Sequence, residues 1–179
     1  MSLMRIHMGG FGGQGILLIG KMLAHAAMLD EKEVTWMPAY GPEMRGGTAN
    51  CTVCVDDKPI TSPVVTKCDV LIVMNGPSLV KFENMLVPGG HLFVNTKLCP
   101  DPPKRDDIQI HYCDATAMSE AKYGSAKVAN MIMLGAVLKV TGLSTFETMK
   151  EVFAESLTGD KAKLIPQNME AMNLWSEDE

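Results

Sequence analysis

Met8-Gly9-Gly10-Phe11-Gly12-Gly13-Gln14-Gly15 holds five glycines in eight residues, and the fold is read outward from it. Ahead of it, Arg5-Ile6-His7-Met8 alternates polar and apolar residues as a short strand does. Behind it, residues 16–27 are apolar over most of a helical surface. A strand, a glycine turn and a helix in that order build a backbone cradle for an anion. Loop amides and the helix N-terminus point into it, and the missing side chains let a phosphate come close.

The pattern Gly10-Phe11-Gly12-Gly13-Gln14-Gly15 satisfies the G-x-G-x-x-G spacing of dinucleotide sites. Such sites also place an acid about twenty residues further on, at the end of the second strand, to hold a ribose hydroxyl. Here that position falls on Thr35 and Trp36, followed by Met37 and Pro38, and Glu33 lies at the wrong end of the strand. The missing acid argues against an NAD-dependent dehydrogenase. No Gly-Lys-Ser/Thr follows the glycines either, which excludes a Walker A loop.

Further along, residues 33–37 read as a second strand, giving a strand–helix–strand unit of a parallel sheet. The next stretch, residues 38–47, carries two prolines and three glycines and reads as a long loop of the kind that holds ligands. Within it, Arg45-Gly46-Gly47-Thr48 offers a guanidinium that can fork onto a phosphate beside backbone that comes close. Residues 48–55 alternate as a strand, with 60–65 as a short partner running back. Residues 68–74 form a continuous apolar run, the mark of a central strand covered on both faces, and Asn75 ends it on the rim of the same site. A helix over 78–85 is closed by Pro88-Gly89-Gly90, and strands follow at 91–95 and, at the sheet edge, 108–113.

The C-terminal third is helical. Residues 126–140 are apolar on nearly every face, which points to burial against another subunit as well as the core, and so to a homodimer when the chain is isolated. Ser144 and Glu147 have capping-box spacing, Asp160 can cap a further turn, and Pro166 can open a last helix. The expectation is an α/β, Rossmann-like three-layer domain over residues 1–179 with a mostly parallel sheet.

Composition bounds the function. With 46% hydrophobic and 21% charged residues, the chain matches a soluble globular protein, and no apolar run approaches the roughly 18–20 residues of a membrane span. No secretory signal is visible, so the expected location is the cytoplasm. A net charge of −5 with no Lys/Arg cluster sets nucleic-acid binding aside. Five cysteines lack the spacing of a disulfide framework. Cys51 and Cys54 sit three apart on a strand, on opposite faces, and cannot easily grip one metal. The four histidines are scattered with no carboxylate partner suggested, and no nucleophile is marked as activated. The residues describe a site that binds rather than transforms.

With these residues assembled, the sequence resembles the gamma subunit, or gamma domain, of the 2-oxoacid:ferredoxin oxidoreductases, and most resembles the 2-oxoglutarate type. The resemblance rests on residues 9–15, on Tyr40-Gly41-Pro42-Glu43-Met44-Arg45-Gly46-Gly47-Thr48-Ala49, on residues 68–75, and on Asn130-Met131-Ile132-Met133-Leu134-Gly135-Ala136. It implies an enzyme complex that decarboxylates a 2-oxoacid, joins the acyl group to coenzyme A and passes two electrons to ferredoxin. It further implies that thiamine diphosphate lies between alpha and beta subunits, that iron–sulfur clusters belong to the beta and ferredoxin-like delta subunits, and that the gamma part contributes to coenzyme A binding. The implied binding residues are Gly10, Phe11, Gly12, Gly13, Gln14 and Gly15 with Arg45, Gly46, Gly47 and Thr48; Asn75 joins them from its place on the rim. A purely structural assembly subunit is the competing reading.

Overall fold

A computed structural model describes residues 3–39 and 48–177. Six strands form one sheet: β1 (Met4–Phe11), β2 (Glu33–Ala39), β3 (Thr48–Asp56), β4 (Cys68–Val73), β5 (Leu86–Val94) and β6 (Gln109–Tyr112), in the order β2-β3-β1-β4-β5-β6. The β1/β4, β4/β5 and β5/β6 ladders are parallel, and β3 runs antiparallel to both of its neighbours. The sheet is therefore mixed but mostly parallel, within an α/β fold. β2 runs in the direction of β1, as a strand–helix–strand unit requires, but β3 is inserted between them.

The helices are α1 (Ile16–Leu29), α2 (Gly76–Phe82), α3 (Ala115–Tyr123), α4 (Ala129–Thr141), α5 (Phe146–Ser156) and α6 (Ile165–Met172). One face of the sheet packs on α1 and α4, with α5 and α6 behind; this core includes Ile6, Met8, Val53, Val70, Ile72 and Phe93. The other face carries Leu71, Val73 and Leu92 against Leu79 and Phe82 of α2. The period-2 alternation of β4 sends Val70 and Ile72 to one core and Leu71 and Val73 to the other, which is why its sequence is apolar throughout.

Every residue of α4 from Ala129 to Leu138 is buried by its own chain. Its apolar surface is met by α1, α3 and α6, so it supplies no argument for a subunit interface. Closest is the crossing with α6, where a Cβ on Gly135 would lie 1.9 Å from the carbonyl oxygen of Met172. Three local expectations also change. Residues 60–65 form no strand beside β3. Pro88-Gly89-Gly90 sits inside β5, where the register against β4 shifts, rather than closing a helix. The α5 N-cap is Thr145, whose Oγ1 accepts from Thr148 N–H at 3.0 Å; Ser144 instead donates to Asp30 at the end of α1, which frees it from the capping role its spacing suggested.

Candidate functional site

The glycine stretch divides into two parts with different work. Gly9 and Gly10 belong to β1 and are there for packing. A Cβ on Gly9 would meet the Phe82 ring at 2.8 Å, and one on Gly10 would meet Ile16 at 2.7 Å. Only after Phe11 does the chain turn, closed by Gln14 N–H donating to the Phe11 carbonyl at 3.1 Å. Gly13 (φ 95°) and Gly15 (φ 75°) take left-handed conformations that L side chains rarely adopt. Gly15 is the N-cap of α1 and offers no side chain to cap the first turn, which also holds no acidic residue. By contrast α2, α3 and α5 are capped by Asn75, Asp114 and Thr145. The positive end of α1 is thus uncompensated among the described residues.

That helix end opens on a cavity of about 230 Å³ at the carboxyl ends of β1 and β4. From β1 the chain builds β2 and β3 on one side of the sheet and then crosses to β4 on the other, so this crevice is a topological switch point, where open α/β sheets hold ligands. Its walls are Gly13, Gln14, Gly15 and Met74, with Thr116 of α3, Lys127 in the 3-10 turn Ala126–Val128, and Ala129 and Asn130 at the start of α4. Lys127 is the one charged residue in this lining, and no carboxylate joins it.

Gln14 and Asn75 come together as the sequence reading expected, but on each other. Gln14 Oε1 accepts from Phe11 N–H at 2.6 Å and from Asn75 Nδ2 at 3.0 Å, and Gln14 Nε2 donates to the Met74 carbonyl at 3.1 Å. Asn75 Oδ1 in turn accepts from Ser78 N–H at 2.9 Å. Both side chains fasten the loop to the end of β4. Asn95 repeats the device at the end of β5, donating to the Met74 carbonyl (3.1 Å) and to Thr116 Oγ1 (2.8 Å) while accepting from Thr116 N–H (3.1 Å). Sequence reasoning passed over Asn95, Thr116 and Lys127, and quoted Asn130 only within a matching segment, with no role in the site. The signal for Asn95 was its place, immediately after a strand, like that of Asn75.

Arg45, Gly46 and Gly47 lie outside the described residues, as do all of residues 40–47. The chain returns at Thr48, the first residue of β3, which pairs with Phe11 immediately before the glycine turn. Phe11 itself is exposed, and Gly12 with it.

The ribose-acid position of a dinucleotide site is doubly absent. β2 ends in Met37-Pro38-Ala39, and β3 separates it from β1. All five cysteines are buried and unpaired. Burial pushes the thiols of Cys51, Cys68, Cys99 and Cys113 up to about 12 and raises that of Cys54, so none is a ready thiolate near neutral pH. Cys51 faces α1, its thiol 3.7 Å from the Ile16 carbonyl, whereas Cys54 lies beside Thr35 and Arg5 on the opposite face. No group of three or more His, Cys, Asp or Glu able to hold a metal occurs among the described residues. The histidines are less scattered than they look in sequence. His25 pairs with Glu155 at 2.8 Å, and His91 contacts His111 at 3.0 Å, which meets Glu177 at 2.8 Å. None of them lines the cavity. Among the described residues, no helix is long and apolar enough to cross a membrane.

Comparison with known proteins identifies the family. The family model described as pyruvate ferredoxin/flavodoxin oxidoreductase matches residues 5–175. The ketoisovalerate oxidoreductase subunit VorA of Methanothermobacter thermautotrophicus is 35% identical over 176 residues, which are 97% of this chain and 36% of that one. The 2-oxoglutarate synthase subunit KorC of Methanocaldococcus jannaschii is 33% identical over 171 residues, covering 94% of this chain and 87% of its own. The chain thus spans about a third of the first relative's length and most of the second's.

Among solved structures, the keto/oxoacid ferredoxin oxidoreductase gamma subunit from Geobacter sulfurreducens aligns with a TM-score of 0.80 at 27% identity, over 96% of this chain and 95% of that one. The 2-oxoglutarate:ferredoxin oxidoreductase from Magnetococcus marinus, solved with 2-oxoglutarate, coenzyme A and succinyl-CoA bound, shares the fold with a TM-score of 0.84 at 18% identity, over 99% of this chain and 32% of that one. With a family model spanning nearly its whole length, the chain belongs to the pyruvate ferredoxin/flavodoxin oxidoreductase family.

Proposed function

We propose that this chain is the gamma subunit of a 2-oxoacid:ferredoxin oxidoreductase and helps to hold coenzyme A while partner subunits convert a 2-oxoacid to acyl-CoA, carbon dioxide and reduced ferredoxin. The observation that carries the reading is the uncapped N-terminus of α1, opening with Gly13 and Gly15 on a cavity whose lining holds a lysine and no carboxylate. Such a cradle suits phosphate, and coenzyme A presents both a diphosphate and a 3′-phosphate. Thiamine diphosphate and the iron–sulfur clusters belong, on this reading, to alpha, beta and delta partners in the cytoplasm, and they supply the carbon–carbon cleavage and the electron path. This chain's residues bind and orient. The amides of the first turn of α1 face the anion, Gln14 and Asn75 fix the loop, and Arg45 is the further cation that the sequence offers to a phosphate.

Names of the relatives divide between ketoisovalerate and 2-oxoglutarate, so the substrate is proposed as a 2-oxoacid, with 2-oxoglutarate the first to try. The pairing of Thr48 with Phe11, immediately before the glycine turn, supports a two-loop site. Titrating coenzyme A into the assembled complex, wild type against Arg45→Ala, tests it. Loss of one charge-assisted contact should weaken affinity roughly ten- to a hundredfold, about 1.5–3 kcal/mol. Unchanged affinity and unchanged acyl-CoA formation would leave the Arg45 loop no binding role.

A further inference from the structure

We infer that Asn130, with Lys127 beside it, forms the wall of the cavity opposite the glycine loop and contacts the phosphate group seated on the first turn of α1. This rests on the phosphate-site reading above and extends it to the start of α4. Asn130 is only 7% exposed, its side-chain amide makes no hydrogen bond to any described residue, and what surface that amide keeps open is turned to the cavity it lines. Gln14, Asn75 and Asn95, the other side-chain amides at this rim, are all engaged with protein atoms. Asn130 therefore differs from them in kind: its polar edge lines the cavity and is left for what enters it.

Gly15 points the same way. A Cβ there would fall 2.3 Å from Asn130 Nδ2, so the amide lies directly against the cap of α1, within reach of anything bound to that helix end. One further feature sets the sign of the ligand. Lys127, in the 3-10 turn Ala126–Val128 that leads into α4, is exposed and forms no ion pair with a described residue. The positive end of α1, an ammonium and a free amide donor converge on one cavity, and the chemistry that matches them is a phosphate ester or a diphosphate.

The test uses Asn130→Asp and Lys127→Ala, in the assembled enzyme and in the full chain alone, titrated with coenzyme A, dephospho-coenzyme A and inorganic diphosphate. Asn130→Asp keeps the shape of the side chain and puts an acid in the first turn of α4, where it favours the helix, and thermal unfolding of the variant beside wild type separates lost binding from lost folding. Expected is a roughly tenfold or greater weakening of coenzyme A and of diphosphate by Asn130→Asp, and a smaller one by Lys127→Ala. Equal weakening of coenzyme A and dephospho-coenzyme A assigns the diphosphate to Asn130; weakening of coenzyme A alone assigns the 3′-phosphate. Diphosphate that binds wild type and Asn130→Asp alike, or that fails to bind wild type, overturns the inference. Diphosphate binding lost in Asn130→Asp, with the coenzyme A half-saturation of the enzyme unchanged, upholds the anion site and defeats the coenzyme A reading. Sensitivity to Arg45→Ala without sensitivity to Asn130→Asp does the reverse.

Discussion

Replacing Gln14 by alanine separates a staple from a ligand contact. Three hydrogen bonds end on this side chain, and they differ in what their loss costs. Phe11 N–H is exposed, so water can replace Gln14 Oε1 there at little cost. Met74's carbonyl keeps its bond from Asn95. Asn75, however, is 1% exposed, and its Nδ2 loses Gln14 Oε1 as acceptor. A buried donor left unpaired costs about 1–3 kcal/mol, so the substitution should destabilise the chain by about 2 kcal/mol. For a chain of this length each kcal/mol moves the melting midpoint by about 2–4 °C, which gives a fall of roughly 4–8 °C without any ligand present. Coenzyme A affinity should fall as well, because the loop that aims the α1 amides is no longer tied to β4. The assay is thermal and urea unfolding of the full chain beside coenzyme A titration of the complex. A melting midpoint unchanged within a degree, together with weakened coenzyme A binding, would refute the staple and return Gln14 to the role of direct contact.

Gly135→Ala should lower the melting midpoint by a comparable or larger amount, because the added methyl meets the α6 backbone at Met172 rather than a movable side chain. Hydrogen exchange should then rise in α6 first, and an unchanged midpoint would contradict the crossing. His7 makes stability depend on pH. Burial, with Lys81 adding to it, lowers its pKa from 6.5 to about 4. Between those values the unfolded chain takes up a proton that the folded chain refuses, so stability is full above about pH 6.5 and falls as pH drops toward 4. The loss from pH 7 to pH 5 should be about 2 kcal/mol in urea unfolding, and His7→Gln should abolish that share of it.

What was legible in the sequence was what local pattern controls. The apolar run of β4, the glycine turn, the proline that opens α6 and the positive-φ glycine that ends α4 (Gly142, φ 60°) all follow from periodicity and backbone freedom. The insertion of β3 between β1 and β2 was not legible. An antiparallel neighbour and a parallel one leave the same alternation in each strand, and only pairing distinguishes them. The burial of α4 was misassigned for a related reason: a helix apolar all round states that it is covered, and says nothing about whether its own chain or another covers it. At the site, sequence located the loop and named Gln14 and Asn75 but could not see that they bond to each other across 61 positions. Asn130 stood inside a quoted motif, yet its free amide becomes visible only once its neighbours are known to be satisfied.

The central question is whether this chain works inside a 2-oxoacid-oxidising, coenzyme A-dependent complex. The direct measurement is purification of the chain from native extract, followed by assay of the co-purifying assembly for reduction of ferredoxin by 2-oxoacids with and without coenzyme A. The expected result is co-elution with larger partner subunits and ferredoxin reduction that requires both a 2-oxoacid and coenzyme A. Elution of the chain without partners, or an assembly whose activity is indifferent to coenzyme A, would contradict it.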